Sequence, residues 1–414
     1  MTPARTTVVI SGGGPAGVVL GLLLARQGVE VTVLEKHDDF LRDFRGDTVH
    51  PMTQQVLDEL GLMAEFDAIV RGRMTSVEFA TTDGLLVRQD LPSVAPRRAR
   101  FRDIALVPQW DFLDLLARAG RMHPGFTLLL GAEVTGVLRD EQGVRGVRYR
   151  REGVEHEVRA ALTVAADGRR SVLRAALGSA VRTLSAPVDV LWFRMDRHAH
   201  EPAGLLGTIG RSGGLVSVNR GDSWQVALLV PEGHDARIRA AGLPAFRERL
   251  RATAPWMADR VHAIDDWEAV KLLTVTVERL RSWSAPGLLA IGDAAHTMSP
   301  IGGVGVELAV ADAVTAANVL GPALRKAQRG SGADAVLPAR LLRRVERRRL
   351  PATALTQRIQ VVAQRYVLAA GAAAPGVRLM PSRPVLAALR GPVARWLPRV
   401  FVYGIRRERV ASAR

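Results

Sequence analysis

The 414-residue chain contains no cysteine, which excludes disulfides, thiolate metal sites and thiol redox catalysis. Lysine is nearly missing too: Lys36, Lys271 and Lys326 are the only three, so almost all positive charge is arginine. Aromatic residues make up 5% of the chain. Nucleic-acid binding needs a basic patch with a recognition fold or stacking aromatics, and no nucleic-acid partner is expected. No run reaches the ~18 uninterrupted apolar residues of a membrane span, so no integral membrane segment is expected. The N-terminus enters a strand and turn directly, where a signal peptide would show a basic and then an apolar region, and this reads as a cytoplasmic protein. No metal-ligand cluster is evident, and no metal is expected.

At 48% hydrophobic and 24% charged the chain is globular, with length for one large core or two to three domains. The net charge of +16 is local. From Arg325 to Arg414 there are 20 basic residues against Asp334, Glu346 and Glu408, and the first 324 residues are close to neutral.

The stretch TTVVISGGGPAGVVLGLLLARQGVEVTVLEKH reads strand, turn, helix, strand. Val8 to Ile10 is an apolar strand, Gly12-x-Gly14-x-x-Gly17 the turn, Val18 to Arg26 a helix, and Val29 to Leu34 a second strand ending at Glu35. The first glycine makes the tight turn, the second admits a pyrophosphate to the backbone, and the third lets helix and strand pack closely. The helix N-terminus faces the anion. Glu35, 18 residues after Gly17, is placed to accept hydrogen bonds from a ribose and disfavours a 2′-phosphate there, which favours FAD or NAD over NADP.

A second apolar strand-end follows in LTVAADGRRSVLRAALG, at Asp167-Gly168, and a third in GLLAIGDAAH, at Gly292-Asp293. In open α/β sheets ligands gather at the carboxyl ends of strands, so Asp293 is expected beside the nucleotide. Gly302, Gly303 and Gly305 then lead into a helix from about Val306, whose N-terminal amides favour negative charge.

These three motifs, in this order and spacing, resemble the single-component flavin monooxygenases of the para-hydroxybenzoate hydroxylase type over roughly Val8 to Leu320. DFRGDTVHPMTQQVLDELGL and LVPQWDFLDLLARA add to the likeness. The resemblance implies an α/β fold: a Rossmann-like FAD-binding domain (1–75, 101–180 and 281–336), an inserted mainly antiparallel β-sheet substrate domain (76–100 and 181–280) and a C-terminal basic helical segment (337–414). It assigns to FAD the residues Gly12, Gly14, Pro15, Ala16, Gly17, Glu35, Lys36, Arg45, Gln109, Asp167, Gly168, Gly292, Asp293, Pro300, Gly302, Gly303, Val304 and Gly305. It implies NADH or NADPH as reductant and O2 as oxidant, with oxygen carried as a C4a-hydroperoxyflavin to an electron-rich phenol or polycyclic aromatic.

No protein nucleophile is needed, and no catalytic residue is nominated; Pro300 and Glu307 are the flavin-adjacent candidates. His296 has two readings, a base and a residue that positions its loop by hydrogen bonding. Glu307 stands where the family often has Asn. An ionised carboxylate there would oppose negative charge on a reduced flavin, unless it turns away or is held protonated by burial.

Elsewhere, Asp83-Gly84 between alternating runs signals a hairpin, GTIGRSGG reads as a hairpin loop, and further strands fall between Val188 and Leu280. Trp192, Phe193, Trp224 and Trp267 are open to pocket or core roles. The segment Val385 to Val410 has three readings: a closing segment on the flavin domain, a peripheral membrane contact through Arg, Trp396 and Phe401, and a dock for an acidic carrier protein. Rival activities are a halogenase, a quinone or prenyl-lipid hydroxylase or reductase, and a non-catalytic flavin sensor. The halogenase signature Trp-x-Trp-x-Ile-Pro and its lysine are not evident.

Overall fold

The computed structural model describes residues 4–41, 48–81, 84–184, 188–202, 204–210, 213–330, 334–371 and 392–411. Two sheets organise them. In the first, Ser284–Ala285, Leu288–Ala290, Val154–Ala165, Ala4–Ser11, Val31–Leu34 and Phe126–Leu129 lie side by side in that order, and all but the first are parallel. Gly143–Arg151 and Glu133–Asp140 add an antiparallel extension. The strands are continuous apolar runs because both faces are covered.

Pro15–Arg26 is buried from Ala16 to Ala25. A helix apolar on all sides belongs inside a layer, and this one packs against Gly305–Arg329 and Gln109–Arg121. Each fully buried Leu or Val there contributes about 1.5–3 kcal/mol.

Register decides what this sheet is for. Ser11 is paired with Leu34 on one side and Ala165 on the other, and Ala165 is paired with Ala290. Four strands therefore stop at one level. The residues that follow them, Gly12, Glu35, Asp167 and Gly292, belong to all the strand-end motifs read from the sequence, gathered along one edge.

The second sheet runs Lys271–Val275, Val188–Asp196, Ser223–Pro231, Gly213–Asn219, Leu205–Gly210, Ser76–Thr81 and Gly84–Asp90. Every neighbouring pair is antiparallel except Leu205–Gly210 with Ser76–Thr81. The hairpin expected around Asp83-Gly84 is present as the pairing of its two strands, with 82–83 themselves outside the described residues. The strand pairing on either side of GTIGRSGG likewise makes a hairpin. Glu278–Leu280 departs from expectation: it leaves this sheet and pairs with Val181–Thr183 in a separate ribbon.

Side chains alternate across a strand, and this separates the aromatics. Leu191, Phe193, Trp224 and Val226 pack with Phe246 and Leu250 under the helices His234–Ala240 and Gly242–Thr253, and Trp267 joins the same cluster. Val190, Trp192, Ala227 and Leu229 face the opposite way, toward the first sheet. Of the four open aromatics, Trp192 alone reaches the cavity.

The C-terminal residues close on this body. Ala339–Gly371 packs against Gly305–Arg329. Glu408, 1% exposed, receives Arg348 at 2.6 Å, and the Val410 amide donates to Glu59 at 2.7 Å. Within the segment Val385–Val410 these contacts are made by its last residues; Trp396 lies outside the described side chains. The helix 301–329 is long and apolar enough to cross a membrane, but 72% of that apolar window is buried in the protein's own core.

Candidate active site

One cavity of about 1660 Å³ runs from the strand-end motifs to the inner face of the second sheet. Of the residues assigned from sequence, Gly12, Gly14, Pro15, Ala16, Glu35, Lys36, Gln109, Asp167, Gly168, Asp293, Pro300, Gly302, Gly303, Val304 and Gly305 all line it. Arg45 lies outside the described residues. Gly17 and Gly292 serve the backbone instead. A side chain on Gly17 would strike the Gly12 carbonyl oxygen, and one on Gly292 would sit 3.1 Å from the Ala16 Cβ.

Several observations test whether this end fits an FAD. Gly12 has φ +104° and abuts the Ala166–Asp167 backbone, so protein packing explains it. Gly14 is different. Its backbone is extended (φ −73°, ψ −178°), and a Cβ there would meet nothing within 4 Å. Gly305, at the start of the long helix, is equally unobstructed. Neither glycine is required by the chain's own sterics; each leaves room for something close to the backbone. Glu35 is 6% exposed, accepts the Gly13 amide at 2.8 Å and the His37 amide at 3.0 Å, and presents at the cavity wall. Asp167 accepts the Val172 amide at 3.1 Å through Oδ2, while its buried Oδ1 has no partner. Burial pushes this carboxyl up, against the hydrogen bonds that lower it. An acceptor left open at the cavity, two helix N-termini (Pro15 and Gly305) and two side-chain-free approaches suit a dinucleotide with a ribityl chain.

The structure places His296 away from the cavity. It is 1% exposed, does not line the cavity, packs on the Trp283 ring and shares a 2.7 Å hydrogen bond with Asp312. Asp312 also accepts from the Gly292 amide at 3.0 Å and from Arg349 at 2.8 Å. Burial alone would raise the Asp312 carboxyl, but His296 and Arg349 together hold it below its ordinary range. This network ties the Gly-Asp loop to the long helix and the C-terminal helix.

Glu307 is likewise moved out of the cavity. Its carboxylate is 2% exposed and turns toward Pro51–Leu60, where the Thr53 hydroxyl donates to Oε2 at 2.9 Å; Oε1 is buried without a partner. Burial lifts this acid from 4.5 to about 7. The charge conflict raised by an acid at this position is relieved by direction, and the raised pKa leaves the group about half protonated at pH 7.

Sequence reasoning missed His50. It lines the cavity with Thr48, and its Nδ1 lies 3.1 Å from the Phe401 carbonyl, which only accepts, so Nδ1 carries the proton. Burial drives its pKa down to about 4. No motif announced it, because the contact that fixes it comes from more than 300 residues away.

The chain belongs to the FAD binding domain family, whose model matches residues 5–353. It is an FAD-dependent monooxygenase of that family, the class expected from the three motifs. It is 34% identical over 417 aligned residues to the 6-methylpretetramide 4-monooxygenase of Streptomyces rimosus, covering 99% of this chain and 95% of that protein. In structure it resembles p-nitrophenol 4-monooxygenase from Pseudomonas putida DLL-E4 (TM-score 0.79, 18% identity, 98% and 100% of the two chains). It is also similar to anhydrotetracycline hydroxylase from Streptomyces rimosus (TM-score 0.74, 24% identity, 99% and 78%).

Proposed function

We propose that the protein hydroxylates a multi-ring phenolic compound held against the second sheet. The observation that carries this is the continuity of one cavity from the nucleotide cradle to a broad apolar wall made by Val190, Trp192, Leu215, Val216, Ala227 and Leu229. That wall offers flat apolar area with few polar groups, which suits fused aromatic rings. The similarity to a monooxygenase named for 6-methylpretetramide supports the same size class. In this reading residues 1–75, 101–180 and 281–336 hold FAD, 76–100 and 181–280 hold the substrate, and 337–414 close the site.

FAD, once reduced by NADH or NADPH, supplies the oxygen-activating chemistry. The chain's own residues bind, orient and exclude water. Gly12 to Ala16 would bring the first helix's amides to the pyrophosphate, and Glu35 would take the adenosine ribose. Asp167 and Asp293 would serve the linking hydroxyls, with Lys36 and Gln109 lining the same cavity. Pro300 to Gly305 would border the flavin ring, and the N-terminus of the helix from Gly305 would favour negative charge near it. His50, neutral at Nε2, is an acceptor beside Gly303. The apolar wall keeps water from the reacting atoms.

The test compares single-ring with three- and four-ring phenols as stimulators of NAD(P)H oxidation by the FAD-loaded protein. Stimulation and a hydroxylated product with the larger phenols support the reading. Hydroxylation of single-ring phenols alone would contradict it.

A further inference from the structure

In the ribbon formed by Val181–Thr183 and Glu278–Leu280, Arg182 is directly opposite Arg279. Opposed residues in an antiparallel pair share a face, and like charges there repel. Arg358, on the helix Ala339–Gly371, is the third member. The Arg279 guanidinium is lowered from its ordinary range by burial and then by the positive charges of Arg182 and Arg358.

Nothing acidic balances the three among the described residues. Glu278 is engaged by Arg174 at 3.4 Å, and Arg279 donates to the neutral Gln357 oxygen at 2.7 Å. Arg279 is 8% exposed, while Arg182 and Arg358 reach solvent. Of the three, Arg358 lines the cavity, together with Arg169 and Arg170, which follow the Asp167-Gly168 motif; Arg182 and Arg279 do not line it.

Three guanidinium groups held together without a carboxylate are an electrostatic cost in the empty protein and a fork-shaped oxyanion site when filled. The FAD pyrophosphate has its own cradle in the reading above, at the Gly12–Gly14 turn, which includes none of the three arginines. The remaining phosphate-bearing reactant of the reaction is the reductant. We propose that Arg182, Arg279 and Arg358 bind a phosphate of the reduced nicotinamide dinucleotide as its nicotinamide enters the cavity. This rests on the oxidoreductase reading above.

Calorimetric titration of FAD-loaded protein with 2′,5′-ADP and with ADP tests it, using R182E and R358E. Both positions are exposed, so neither change should disturb the core, and FAD content should be unchanged. Each loss of a charge-assisted contact is expected to weaken nucleotide binding about tenfold or more. Weakening confined to 2′,5′-ADP supports a 2′-phosphate site and hence a preference for NADPH. Equal weakening for both nucleotides supports a site for the 5′-phosphate that they share, which serves NADPH and NADH alike. Affinities unchanged by either substitution, or no binding of either nucleotide by the unaltered protein, would overturn the site.

NADPH and NADH oxidation by the same unaltered sample, with a multi-ring phenol added, is read separately. If neither is oxidised, the oxidoreductase reading fails whatever the titrations show. If oxidation proceeds and R182E and R358E bind like the parent, only the arginine site fails.

Discussion

Replacing Glu307 by Gln should stabilise the protein, and by an amount that depends on pH. In the folded chain the carboxyl titrates at about 7 against an ordinary 4.5. Below pH 4.5 it is neutral in both folded and unfolded chains and costs nothing. As pH rises, the unfolded chain ionises first while the folded one still holds its proton. Stability therefore falls between about pH 4.5 and 7 and is flat beyond. Each pKa unit corresponds to 1.36 kcal/mol, so the full penalty is about 3 kcal/mol. Gln keeps an acceptor for the Thr53 hydroxyl and cannot ionise. Urea unfolding of Glu307→Gln and the parent, with FAD in constant excess, should give nearly equal stabilities at pH 4 and a gain of about 3 kcal/mol for the variant at pH 8.5. A gain that is the same at both pH values, or a loss at pH 8.5, would refute the assignment of a buried, desolvated acid.

His50 should act on the opposite limb: its pKa of about 4 lies below the ordinary 6.5, so stability is lost as pH falls through that window, up to about 3 kcal/mol. His50→Gln should flatten the acid limb of the same urea series. Gly14→Val should leave the FAD-free protein within about 0.5 kcal/mol of the parent, since its Cβ meets nothing, yet weaken FAD at least about tenfold, as read by fluorescence titration. Arg349→Met leaves Asp312 buried without its cation, and should cost about 3–5 kcal/mol in chemical denaturation. Trp192→Ala should raise KM for a multi-ring phenol with little loss of stability, whereas Trp224→Ala, fully buried in the other core, should cost about 3–5 kcal/mol.

The nucleotide end of the site was legible because its chemistry is local. A strand, a glycine turn and a helix N-terminus occupy neighbouring positions in sequence, and Gly12, Glu35, Asp167 and Asp293 each sit at the end of a strand where the parallel register brings them together. The roles of His50, His296 and Glu307 were not legible from local pattern, because their partners are Phe401, Asp312 and Thr53. A glutamate at the start of a helix looks the same in sequence whether it faces a cavity or a buried threonine. The aromatics illustrate the limit from the other side. Trp192 and Phe193 are adjacent, and only the strand's alternation, read against both covering layers, sends one to the cavity and one to the core.

Heavy-isotope dioxygen supplied to the FAD-loaded protein with NADPH and a four-ring phenol measures the central claim most directly. Mass spectrometry of the product should show one heavy oxygen atom in the phenol for each NADPH consumed at full coupling. NADPH oxidation that yields only peroxide, with no label in any phenol tried, would contradict the account.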